Sequence, residues 1–111
     1  MSERPGYDVP VAMFVFNRPE LTRQVFERVR EARPQTLLVV ADGARADRAG
    51  EAEKVEAVRR IFDEVDWPCD LRTDFAAANM GCRDRVASGI GWVFAQVERA
   101  VILEDDCWPA P

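Results

Sequence analysis

Four apolar runs punctuate the chain, and between them apolar positions recur three or four residues apart. VAMFVF (11–16) is a continuous run of strand length, rich in β-branched and aromatic residues. NRPELTRQVFERVREAR follows at once, with Leu21, Val25, Val29 and Ala32 at helical spacing. Asn17 with Glu20 three residues later has the form of a capping box, and Pro19 suits the first turn. TLLVV (36–40) is a second all-apolar strand and leads into ADG. A helix is predicted over roughly 48–65, with Val55, Val58, Phe62 and Val65 on one face. CDLRTDF (69–75) alternates, which predicts an edge strand. A third helix is predicted over roughly 81–97, with Val86, Ile90, Val93, Phe94 and Val97 as its apolar stripe. AVIL (100–103) is the fourth strand, running directly into Glu104, Asp105 and Asp106.

The resulting order, βαβαβαβ, predicts one α/β domain over 1–111, a Rossmann-like parallel sheet covered on both faces. Right-handed crossovers leave few layouts, and the most economical is strand order 3-2-1-4. It creates a switch point between strands 1 and 4, where open α/β sheets bind ligands beyond their carboxyl ends. Asn17-Arg18 after strand 1, Asp42-Gly43 after strand 2 and Glu104-Asp105-Asp106 after strand 4 then converge on one edge.

Composition narrows the chemistry. A chain of 111 residues that is 48% apolar can bury a core, and its net charge of −5 disfavours nucleic acid or an anionic membrane as partner. There is no histidine, which removes Ser–His and Cys–His triads and imidazole metal sites. Three widely spaced cysteines form no CxxC pair, which fits a reduced, cytoplasmic setting better than a disulfide framework or a zinc site. No stretch approaches the ~18 apolar residues of a membrane span. Neither GxGxxG nor GxxxxGK[ST] occurs, so dinucleotide and P-loop sites are disfavoured.

Carboxylates at the end of a strand suit a hard divalent cation, Mn²⁺ or Mg²⁺, shared with substrate phosphates. In an extended segment Glu104 and Asp106 share one face and Asp105 takes the other, so the three divide their roles. Asp42 can accept from a base N–H or a sugar hydroxyl, and Arg18 can offer its fork to a phosphate. Against these stand plainer readings: a turn for Asp42-Gly43 and helix capping for Asn17.

VAMFVFNRPELTRQVFERV, LLVVADG, NMG opening a helix and VILEDD together resemble the nucleotide-binding half of GT-A glycosyltransferases. The similarity is closest to family 2 enzymes and N-acetylglucosaminyltransferase I, whose metal motif is also EDD. It runs from residue 9 to 109. The resemblance implies a UDP-sugar or other nucleotide-sugar donor, with Asp106 as the direct metal ligand to the diphosphate. It implies Asp105 at the ribose, Glu104 at the donor sugar or a metal-bound water, and Asp42 at the uracil edge. Arg18 would lie against the nucleotide, and Arg83, in the segment Asn79–Arg83, would add a contact. The acceptor site and catalytic base of such enzymes lie beyond the metal motif, so the chain is expected to be the donor-binding part of a longer domain and inactive alone. The alternative class is a non-catalytic α/β binding module; a phosphatase is weaker, since the DxDx[TV] nucleophile motif is absent. Strand 4, ending a sheet, is expected to offer an open edge for self-association.

Overall fold

A computed structural model describes residues 8–104. Its elements run β1 (Val11–Val15), α1 (Pro19–Ala32), β2 (Thr36–Ala41), α2 (Glu51–Ile61), β3 (Asp70–Phe75), α3 (Cys82–Gln96) and β4 (Val101–Glu104). A single 3₁₀ turn, Phe62–Glu64, extends α2. The four strands form one parallel sheet in the order β3-β2-β1-β4, as the pattern predicted. The switch point therefore lies between β1 and β4.

The apolar runs explain the centre of this sheet. All five residues of β1 and five of the six of β2 are buried, because helices cover both faces. Val11, Met13, Val15, Leu37 and Val39 face one core with α1 and α2, whereas Ala12, Phe14, Leu38 and Val40 face the other with α3. The first core is sealed by aromatics: Phe26 meets Phe62 edge-on at 5.6 Å and Trp67 at 6.0 Å between ring centroids. The Trp67 indole N–H donates to the Pro34 carbonyl (2.8 Å), so its one polar atom is satisfied on burial. As expected, β3 is an edge strand with a largely exposed face.

Two helices are rotated from the faces that their apolar spacing suggests. α1 buries Thr22, Phe26 and Val29, while Leu21 and Ala32 lie outward. The bulk of Phe26, drawn between Phe62 and Trp67, sets the rotation. α3 buries Arg85, Gly89 and Val93 and leaves Ile90 and Phe94 exposed. Here the lack of a side chain decides: a Cβ on Gly89 would stand 2.6 Å from both Phe14 and Val40, so the helix rests its glycine directly on β1 and β2. The capping box is also absent. Arg18 is the N-cap residue of α1 with no side-chain cap, Pro19 opens the helix, and Asn17 turns elsewhere.

Candidate functional site

Register puts the polar clusters on one rim. Val15 stands beside Ala41, Ala41 beside Phe75, and Phe14 beside Glu104. The residues that follow, Phe16–Arg18, Asp42–Gly43 and Ala76 onward, therefore leave the sheet at the same carboxyl edge that Glu104 closes. Ile102 packs on the α3 side and Leu103 on the α1–α2 side, so strand alternation directs Glu104 to the α3 side. Asp105 and Asp106 lie outside the described residues.

Asp42 is buried at the end of β2, and four donors converge on it. Oδ1 accepts the backbone N–H of Gly43 (2.8 Å) and of Met80 (2.8 Å). Oδ2 accepts the N–H of Gly81 (3.0 Å) and the side-chain amide of Asn79 (3.2 Å). Gly81 is the N-cap of α3 and has no side chain to offer; the carboxylate of Asp42 instead anchors the segment that enters the helix. These bonds fill the acceptor capacity of the carboxylate. Reading a base edge would require Asp42 to give up one of them.

Gly43 makes the turn possible through proximity. A Cβ there would lie 2.7 Å from the Ala78 carbonyl carbon and 3.0 Å from the Ala76 oxygen, both backbone atoms that cannot swing away. The Asn79 amide ties the same point by donating to the Gly43 carbonyl (2.9 Å).

A second buried carboxylate, Glu51, opens α2. It accepts from the Arg45 backbone N–H (2.8 Å), Arg45 Nε (2.9 Å), Arg45 Nη2 (2.6 Å) and Asn17 Nδ2 (2.9 Å). The Arg45 guanidinium, against the opposing effect of burial, holds the Glu51 carboxyl down at about 2. The Arg45 guanidinium also lies 5.5 Å from the Phe16 ring centroid. Glu51 thus joins the turn after β1 to the segment after β2.

Two arginines close the β2–β3 part of the rim. Arg85 donates Nε to the Ala41 carbonyl (3.1 Å) and Nη2 to the Asp74 carbonyl, and it pairs with the Asp74 carboxylate (3.0 Å). Arg59 donates to the carbonyls of Asp42 (3.1 Å) and Ala76 (2.8 Å) and lies 4.8 Å from the Phe75 ring centroid. Burial pushes the Arg59 guanidinium below its usual range, and the like charge of Arg85 acts in the same direction. Both cations donate to carbonyls at or just beyond the strand ends.

The groups left open lie elsewhere on the edge. Among the described residues Arg18, Lys54 and Arg83 make no side-chain hydrogen bond or ion pair. Asn17, Arg18, Glu20 and Lys54 line an open groove of about 310 Å³ at the start of α1. A narrow cleft of about 20 Å³, room for little more than a water, is walled by Phe14, Phe16, Val40 and Val86, with Asp42 and Arg85 at its polar end. Arg83 is exposed on the first turn of α3, two residues from the buried Arg85. The described residues contain no cluster of three metal-ligating side chains, and none of their helices is long and apolar enough to cross a membrane.

Sequence reasoning thus selected Asn17, Arg18, Asp42 and Glu104, which share the rim, and the segment Asn79–Arg83 beside it, and missed Glu51, Arg45, Arg59 and Arg85, which organise it. A charged residue on an amphipathic helix gives no local sign of burial; a glycine four residues after Arg85, at position 89, was the available hint that this face meets the sheet. No protein-family model, curated protein or solved structure matches the chain.

Proposed function

We propose that the carboxyl edge of this sheet binds a nucleotide-diphospho-sugar together with a divalent cation, in the manner of the donor-binding half of a GT-A glycosyltransferase. The observation that supports it is the β1–β4 switch point, with Asn17, Arg18 and Glu104 all at the carboxyl edge of the two strands. Chain-internal bonds occupy Asp42, Arg59 and Arg85 at the β2–β3 end, so among the described residues Arg18, Lys54 and the exposed Arg83 are cations left to meet a ligand. Arg18 and Lys54 would face phosphate charge across the open groove. Asp106 would be the direct oxygen ligand for Mn²⁺ or Mg²⁺ at the diphosphate, with Glu104 at the donor sugar or a metal-bound water and Asp105 at the ribose. In this reading Asp42 serves chiefly by fixing Asn79–Gly81, and a base contact comes from it only at the expense of an internal bond. Transfer itself would also need an acceptor site and a base.

A second reading, a non-catalytic module that pairs with another chain, draws on β4, an edge strand of the sheet among the described residues. Val101 on that strand is exposed, as are Ile90 and Phe94 on α3. The opposite edge, β3, carries Asp70, Arg72 and Asp74, charges that discourage pairing, whereas Val101–Leu103 carries none. Self-association through β4 is compatible with either reading.

Titration calorimetry with UDP-sugars in Mn²⁺ and in EDTA tests the proposal. Metal-dependent binding supports the donor site, and absence of binding in both leaves the interaction module.

A further inference from the structure

We infer that residues 43–50 form a strap over the end of β1, latched by the single carboxylate of Glu51. The strap is fixed where it leaves the sheet, since Gly43 sits against the backbone of residues 76–78. At its far end Gly50 takes a left-handed conformation, φ 80°, and a Cβ there would touch nothing within 4 Å. Between them residues 46–50 are exposed, and the one side chain that ties the segment down is Arg45. Its backbone N–H and both ends of its guanidinium go to Glu51, and the guanidinium covers Phe16. Phe16 forms a wall of the cleft that ends at Asp42 and Arg85.

The same carboxylate holds Asn17 in the turn after β1. Releasing Glu51 would therefore free two segments at once: the strap lifts from Phe16, and the Asn17–Arg18 turn loses its tether. One carboxylate shared between two loops makes their movements cooperative, so the cleft and the adjoining groove open together rather than separately. The latch rests on geometry alone; only the identity of what enters beneath it rests on the nucleotide-sugar reading.

The test is amide hydrogen exchange on wild type, Glu51→Gln and Arg45→Gln, each with and without UDP and Mn²⁺. Arg45→Gln alters an accessible side chain and keeps the comparison open if Glu51→Gln folds poorly. The latch predicts that amides of residues 44–48 exchange at least ~10-fold faster in both variants, while those of residues 37–40 in β2 keep wild-type protection. Unchanged exchange over 44–48 in both variants would overturn it. So would equal loss of protection in β2, which would make Glu51 a general stability element. Slowed exchange over 44–48 when wild type meets UDP and Mn²⁺ supports a strap that closes on that ligand. If UDP does not bind wild type at all, the functional reading fails while the variants still decide the latch.

Discussion

The carboxylate of Asp42 accepts the backbone N–H of Gly81, 39 residues further along the chain, at 3.0 Å. The residue after β2 thereby anchors the entry to α3, a helix whose own N-cap is a glycine. The pairing ties the segment after β2 to the start of α3, whose first turn carries Arg83 and Arg85.

Removing that anchor has a defined cost. Asp42→Ala leaves the N–H groups of Met80 and Gly81 without their acceptor and should destabilise the fold by about 1–3 kcal/mol, the range for hydrogen bonds to a charged group. Urea denaturation measures it. Asp42→Asn keeps two of the four acceptor sites and should fall in between; wild-type stability in both variants would mean that solvent replaces the carboxylate at no cost.

Gly43→Ala sets a Cβ against backbone. With the Ala78 carbonyl carbon 2.7 Å away, the 76–78 loop must move, and a loss of roughly 1–3 kcal/mol follows from overpacking of this kind. Gly91, by contrast, has nothing within 4 Å of its Cβ position, and Gly91→Ala should stabilise α3 by about 1 kcal/mol. The pair of thermal unfolding curves checks both signs.

Much of this was legible in the sequence. Runs such as VAMFVF and TLLVV can be buried on both sides only in a sheet that helices cover twice, and right-handed crossovers then made β3-β2-β1-β4 the most economical order. The helix faces were less legible, because Phe26 and Gly89 act through volume, which an apolar-or-polar pattern does not record. Glu51 and Arg85 were not legible at all. Their partners are Arg45, Asn17, Ala41 and Asp74, and a buried ion pair appears only when the chain is folded. The EDD segment reads clearly in sequence, yet of its three acids only Glu104 lies among the described residues.

Acid should weaken the latch. The folded Glu51 carboxyl is held at about 2 against an ordinary value of 4.5, so its contribution to stability is present above pH 4.5 and is lost as pH falls from 4.5 toward 2. Glu51→Gln should therefore be less stable than wild type at pH 7, and the two should converge across that window. A gap that is unchanged at pH 2.5 would contradict the assignment.

The β4 edge makes a separate prediction. Sedimentation of wild type at rising concentration should show self-association, and Val101→Lys should abolish it by adding a charge to an edge that has none over Val101–Leu103. Identical sedimentation of both proteins would show that the exposed strand does not pair.

The central claim is a metal-dependent donor site on the β1–β4 rim, and one calorimetric titration tests it most directly: UDP into the protein with Mn²⁺, with EDTA, and with Asp106→Ala in Mn²⁺. The account predicts binding in the first case only, since without a cation the diphosphate faces the carboxylates of Glu104 and Asp105 unshielded. Equal affinity in Mn²⁺ and EDTA, or undiminished binding by Asp106→Ala, would contradict it.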